Sequence, residues 1–226
     1  MGRSGAHPGT AVGGLTGMPG TVDTAALTAW VREFGRLITA EKERLTELDS
    51  AIGDADHGSN MARGMNAVLD KLGEPQTVDA LFKTVGMTLV SSVGGASGPL
   101  YGTFFLRIGT TAGAVDSLDG AALSAGLRAG FEGVISRGKA EPGDKTMVDA
   151  MGPALDALDE SLGSGSDPAT AAAAAFDAAQ RGRDATEPLV ARKGRASYLG
   201  ERSAGHLDPG ATSTAFLFQA LAEALA

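Results

Sequence analysis

The sequence contains no cysteine, which removes disulfide frameworks, thiol catalysis and zinc-thiolate sites from consideration. It has no apolar run approaching the roughly 18 residues of a membrane span, so no membrane association is expected and the protein should be soluble. Positive charge is in deficit. Lys and Arg number 19 against 27 Asp and Glu, a formal net charge of −8, which argues against nucleic acid or an anionic membrane as a partner. An anionic substrate would need locally placed cations. Two familiar nucleotide fingerprints are also missing: no GxxxxGK[ST] occurs, and no GxGxxG sits between a strand and a helix. Any nucleotide site is therefore neither a P-loop nor a Rossmann crevice.

What remains is a chain of 226 residues, long enough to bury a substantial core in one domain. Residues 1–20, MGRSGAHPGTAVGGLTGMPG, hold seven glycines and no signal-peptide core, and read as a flexible tail ahead of a single domain over 21–226. Together with the absent cysteines this fits a cytoplasmic location.

From residue 22 to 52 the apolar positions Leu27, Trp30, Val31, Phe34, Leu37, Ile38, Leu45 and Leu48 recur at helical spacing. Similar patterns predict helices at 59–72, 77–93, 98–112, 119–137, 145–162, 167–189 and 210–225, separated by breaks rich in Gly, Pro and Asp. Eight helices and no strand make an all-α protein; a short strand remains the alternative only in KTVGMTLVSSV, residues 83–93. Short connections favour antiparallel neighbours and an up-and-down bundle. The starts of the second, fourth, sixth and eighth helices then share one end. The loops leading into them carry the unusual chemistry: GDADHGSN, GGASG, GKAEPGDKTM and HLDPGATST, joined by the basic stretch 191–210 with Arg192, Lys193, Arg195 and Arg202.

LDSAIGDADHGSNMARG, residues 48–64, crowds Asp49, Asp54 and Asp56 where the first helix should stop. Three carboxylates repel one another at a helix end that is already electronegative. If Gly53 ends the helix, the chain can fold back and bring the three together around Mg²⁺ or a similar hard cation. The alternative is that one aspartate caps the next helix and the others are solvated. An EF-hand is excluded, because the sixth and twelfth positions from Asp54 are Ser59 and Met65. HGSN and GGASG offer unpaired amides at helix N-termini, which suit phosphate or serve as plain turns. His57 either holds its place by hydrogen bonding or touches a phosphate. Arg195 is a surface charge or a phosphate clamp, and Met147 by default a core residue.

The motifs GDADHGSNM, GGASGPLYGTFF, GDKTMVDAM, KGRASYLGERSAGHLDPGA and STAF, in that order, resemble the ADP-binding L subunits of dihydroxyacetone kinases. The resemblance implies an eight-helix antiparallel barrel with ADP or ATP at one end, held through two Mg²⁺ ions. It makes Asp49, Asp54 and Asp56 the metal ligands. His57, Gly58, Ser59, Asn60, Ala96, Ser97, Gly138, Met147, Arg195, Asp208, Pro209 and Gly210 become the nucleotide contacts. Ala55 stands where the family has Gly, and Ser59 where Thr is common. The implied reaction passes a terminal phosphoryl group to dihydroxyacetone held on a separate K subunit, and nothing in this chain resembles that subunit. Stand-alone subunits of this kind keep ADP as a cofactor that a phosphohistidine phosphotransferase protein recharges, whereas single-chain relatives consume ATP; the separate length favours the former. Three rival readings are a kinase subunit for a related ketose, a fatty acid kinase nucleotide domain, whose acidic motif lacks the DHG at 56–58, and a regulatory Mg-ADP binder without turnover.

Overall fold

The computed structural model describes residues 20–226, so the tail expected over residues 1–20 lies, apart from Gly20, outside the described residues. The chain enters on a three-residue strand, β1 (Thr21–Asp23), whose last residue caps helix α1 (Thr24–Ala40). Oδ1 of Asp23 accepts the amide of Ala26 at 2.8 Å, satisfying a donor that the first turn would leave unpaired. The device recurs where β2 (Ser117–Asp119) runs into α6 (Gly120–Gly138), with Asp119 accepting the amide of Ala122 at 2.8 Å. The two strands pair antiparallel with Val22 opposite Leu118, fastening the start of α1 to the start of α6. Sequence reading finds neither strand, because three residues are too few to show alternation.

The remaining helices are α2 (Lys42–Ile52), α3 (His57–Lys71), α4 (Val78–Ser92), α5 (Ser97–Ala112), α7 (Val148–Gly163), α8 (Pro168–Ala185) and α9 (Pro209–Leu225), with a 3-10 helix at Arg195–Ser203. The all-α class holds, and residues 83–92 are helical. The first expected helix divides at Glu41 into α1 and α2, because Glu41 leaves the helical region (φ −98°, ψ 12°). A one-residue kink leaves the apolar face nearly in phase, so periodicity does not reveal it.

Helix α1 packs on α3 and α9, and each helix from α3 to α9 packs on the next, so eight helices close into a ring with α2 extending it at one end. Trp30 of α1 sits fully buried against Phe82 of α4 and Phe105 of α5, at ring-centroid distances of 5.8 and 5.6 Å. Its indole N–H donates to the carbonyl of Leu217 in α9 at 2.9 Å, so one side chain links both sides of the closure. The ends of α2, α4, α6 and α8 meet the starts of α3, α5, α7 and α9 at one end of the ring. The strand pair marks the other. No helix among the described residues is long and apolar enough to cross a membrane.

Candidate functional site

Four helix starts and the segment between α8 and α9 enclose a cavity of about 520 Å³ at the ring's functional end. Its acidic wall is built by the turn between α2 and α3. Helix α2 ends as the Gly53 amide bonds the carbonyl of Asp49, and the chain reverses through Ala55 in the left-handed region (φ 62°). This brings the amides of Asp56 and His57 onto Oδ2 of Asp49, at 2.8 and 3.1 Å. Asp49 thus caps the following helix from the preceding one, while Asp56 makes no side-chain cap bond. Capping and clustering coincide: one ligand atom from each of Asp49, Asp54 and Asp56 lies within 4.8 Å of the others. Hard carboxylate oxygens at that spacing suit Mg²⁺, which can share them with water and phosphate oxygens.

Positive charge comes from the far side. Nε of Arg195 donates to Oδ2 of Asp54 at 2.8 Å, and both side chains remain substantially exposed. Lys193 and Arg137 also line the cavity. His57 lies deeper, with Nδ1 3.1 Å from Oγ of Ser97 and Nε2 3.0 Å from Oγ of Ser213. The Ser213 hydroxyl is in turn 2.8 Å from the Tyr101 hydroxyl. Burial pulls the His57 pKa below its ordinary value against the opposing fields of Asp49 and Asp56, which favours the neutral ring, and the two serines hold it in place.

The turn ahead of α7 is knitted by carboxylates. Asp149 accepts the amides of Gly143 and Thr146, and Asp144 accepts that of Glu141. At the start of α9, Oδ2 of Asp208 accepts the amide of Ala211 at 2.6 Å, with Pro209 in the first turn where its missing N–H costs nothing. Burial pushes the Asp208 carboxyl up to about 7; Asp149 and Asp49 push the same way, while the Ala211 amide and Lys145 oppose.

The cavity gathers Asp49, Asp54, Asp56 and His57 from the first loop, Ala96 and Ser97 from the second, and Gly138 and Met147 from either side of the third. Arg195 joins from the intervening segment, and Asp208, Pro209 and Gly210 from the fourth loop. Gly58, Ser59 and Asn60 are not among its lining residues. Gly58 packs the first turn of α3 against α2, where a β-carbon would stand 2.5 Å from Oγ1 of Thr46. Ser59 is exposed, and Asn60 is buried with Oδ1 accepting from Arg63 at 2.7 Å. Lys193 lines the cavity as the basic stretch suggests, whereas sequence reasoning missed Tyr101, Arg137 and Lys145 as lining residues. Tyr101 and Lys145 stood inside quoted motifs, but spacing carries no sign of which member turns inward.

Residues 51–223 match the DAK2 domain family. The chain is 50% identical over 195 residues to the PEP-dependent dihydroxyacetone kinase ADP-binding subunit DhaL of Escherichia coli (strain K12), covering 85% of this chain and 93% of that one. It is 46% identical over 206 residues to the PEP-dependent dihydroxyacetone kinase 1 ADP-binding subunit DhaL of Listeria innocua, covering 89% and 96%. Among solved structures it resembles the dihydroxyacetone kinase from C. freundii in complex with AMP-PNP and Mg²⁺, with a TM-score of 0.68 and 27% identity. That likeness covers 98% of this chain, which spans 38% of the longer kinase.

Proposed function

The chain belongs to the DAK2 domain family, and we propose that it is the nucleotide-binding, phosphoryl-transferring subunit of a cytoplasmic dihydroxyacetone kinase. It acts on dihydroxyacetone held by a separate K subunit, with ADP as a bound cofactor recharged by a phosphohistidine-carrying phosphotransferase protein. The observation that carries the reading is the convergence of three aspartate ligand atoms at the mouth of a cavity ringed by helix starts.

The donor set suits Mg²⁺ with a nucleoside diphosphate, and two ions are expected. Asp49, Asp54 and Asp56 would hold the metal, whose charge, when bound, offsets the phosphate charge that repels an incoming hydroxyl. Ser97 at the start of α5 and Gly210 at the start of α9 line the cavity and would supply neutral donors, and Arg195 places a guanidinium suited to paired oxygens beside the acidic wall. Leu100, Val134 and Met147 supply an apolar floor for a purine ring. His57 is the one histidine among the lining residues, and serines engage both of its ring nitrogens. It is therefore not free to hold a triose. The acceptor must arrive on a partner docked at this end.

The test is a coupled measurement of dihydroxyacetone phosphate with each component omitted in turn. Turnover should require the K subunit together with a phosphohistidine donor. Robust turnover by this chain and ATP alone would overturn the half-site reading.

A further inference from the structure

Lys145 is the one lysine or arginine that is buried among the described residues, at 1% exposure, although its turn lies at the mouth of a charged cavity. Its backbone is left-handed (φ 64°), a conformation that side-chain-bearing residues rarely adopt, and this turns the side chain inward. There Nζ donates to four main-chain carbonyls: Thr186 at 2.9 Å, Glu187 at 3.2 Å, Leu189 at 3.0 Å and His206 at 2.5 Å. An ammonium has three protons, so four oxygens share them, and no carboxylate pairs with it within ion-pair distance among the described residues. Asp208 and Glu187 act on it only through space.

The four carbonyls belong to the two roots of one segment. Residues 186–189 follow α8, residue 206 precedes α9, and between them runs a strap whose 3-10 turn carries Arg195 to Asp54. Three further ties lie near the same roots: Gly205 N to Glu187 O at 2.8 Å, Arg192 N to Asp144 O at 3.1 Å, and Asp208 N to Thr186 Oγ1 at 3.0 Å; within the strap Ala191 N donates to Ser203 Oγ at 2.8 Å, and the 3-10 turn packs on α2. At its tip the exposed Arg195–Asp54 pair is of a kind that contributes little on its own. The placement of Arg195 therefore depends on how the roots are held as well as on the packing of the 3-10 turn against α2.

We infer that Lys145 is a positioning residue: its ammonium gathers both roots of the strap and thereby seats Arg195 over the acidic wall. This rests on the nucleotide-site reading above for its functional consequence, but not for its structural one. A neutral side chain would leave the converging carbonyls without a donor. An arginine, flat and forked, does not match four oxygens converging on one point.

The test uses the full chain with Lys145→Ala, which removes the Cγ-to-Nζ fragment and leaves room for n-propylammonium from solution. Hydrogen exchange should accelerate at least tenfold across residues 187–206 while α1 and α5 stay protected. Mg-ADP affinity should fall at least tenfold, and n-propylammonium should restore both where n-propanol does not. Arg195→Ala should weaken binding in the parent but add less than twofold in the Lys145→Ala background, because the two act in series. Lys145→Met, which keeps the volume without the charge, should lose affinity without rescue. Parental exchange and affinity in folded Ala or Met variants would overturn the inference, as would full additivity with Arg195→Ala. Unfolding of both variants would overturn it too, by making Lys145 a requirement of the whole fold. A parent chain that ignores Mg-ADP would count against the functional reading instead, and the exchange and rescue measurements would still decide the role of Lys145.

Discussion

A β-carbon placed on Gly53 would stand inside the van der Waals envelope of Oδ1 of Asp49 and 2.9 Å from its Cγ. The acidic wall therefore depends on a missing side chain as well as on three present ones. Gly53→Ala should push the Asp49 carboxylate off its position while the ring of helices stays intact. Mg-dependent ADP affinity should drop about 10- to 100-fold, the range for misplaced supports of metal ligands. Calorimetric titration checks it, and parental affinity would show that Asp49 has room to spare.

Asp54→Asn keeps the shape of the side chain and removes a full ligand charge. Mg-dependent ADP binding should be lost. Stability without metal should change by no more than about 1 kcal/mol, since the exposed pair with Arg195 is lost but repulsion among the carboxylates is relieved. Thermal scans with and without EDTA give both quantities. Equal affinity in variant and parent would reduce the aspartates to caps.

Ala55→Gly addresses the residue where this chain departs from the resembling family. At φ 62° an alanine costs about 1–2 kcal/mol, and glycine gives back part of that through a looser unfolded chain. A net gain of about 0.5–1 kcal/mol is expected by denaturant titration. A loss would mean that the Ala55 methyl makes contacts that outweigh the backbone strain.

Asp208 predicts a pH dependence of the metal-free chain. Its carboxyl titrates near 7 when folded and near 3.8 when not, so between those values the folded chain holds the extra proton. Stability from this group is present below that window and is lost as pH rises through it. His57, with its folded pKa lowered, works the other way, so the comparison must be a difference. Asp208→Asn retains a cap for Ala211 and should gain on the parent progressively from pH 5 to pH 8, in EDTA. A flat difference would contradict the assignment.

The acidic cluster was legible because uncompensated charge at a helix end demands an explanation, and the alternation of helix direction then placed four distant loops together. Physical spacing said nothing of Lys145, whose inward turn depends on a left-handed backbone and on carbonyls more than forty residues away. The resemblance implies nucleotide contacts at Gly58, Ser59 and Asn60, and none of the three lines the cavity. A helix start does not show which way its first turn faces: Gly58 packs on α2, Ser59 is exposed, and Asn60 is buried beside Arg63. The kink at Glu41 and the three-residue strands fall below the length over which periodicity can be read.

The account rests on Mg-dependent nucleotide binding at the aspartate end of the ring, and native mass spectrometry of the purified chain tests it most directly. One ADP together with two Mg²⁺ ions should be retained or acquired, and EDTA should remove all three. An unchanged apo mass in excess Mg-ADP would contradict the account.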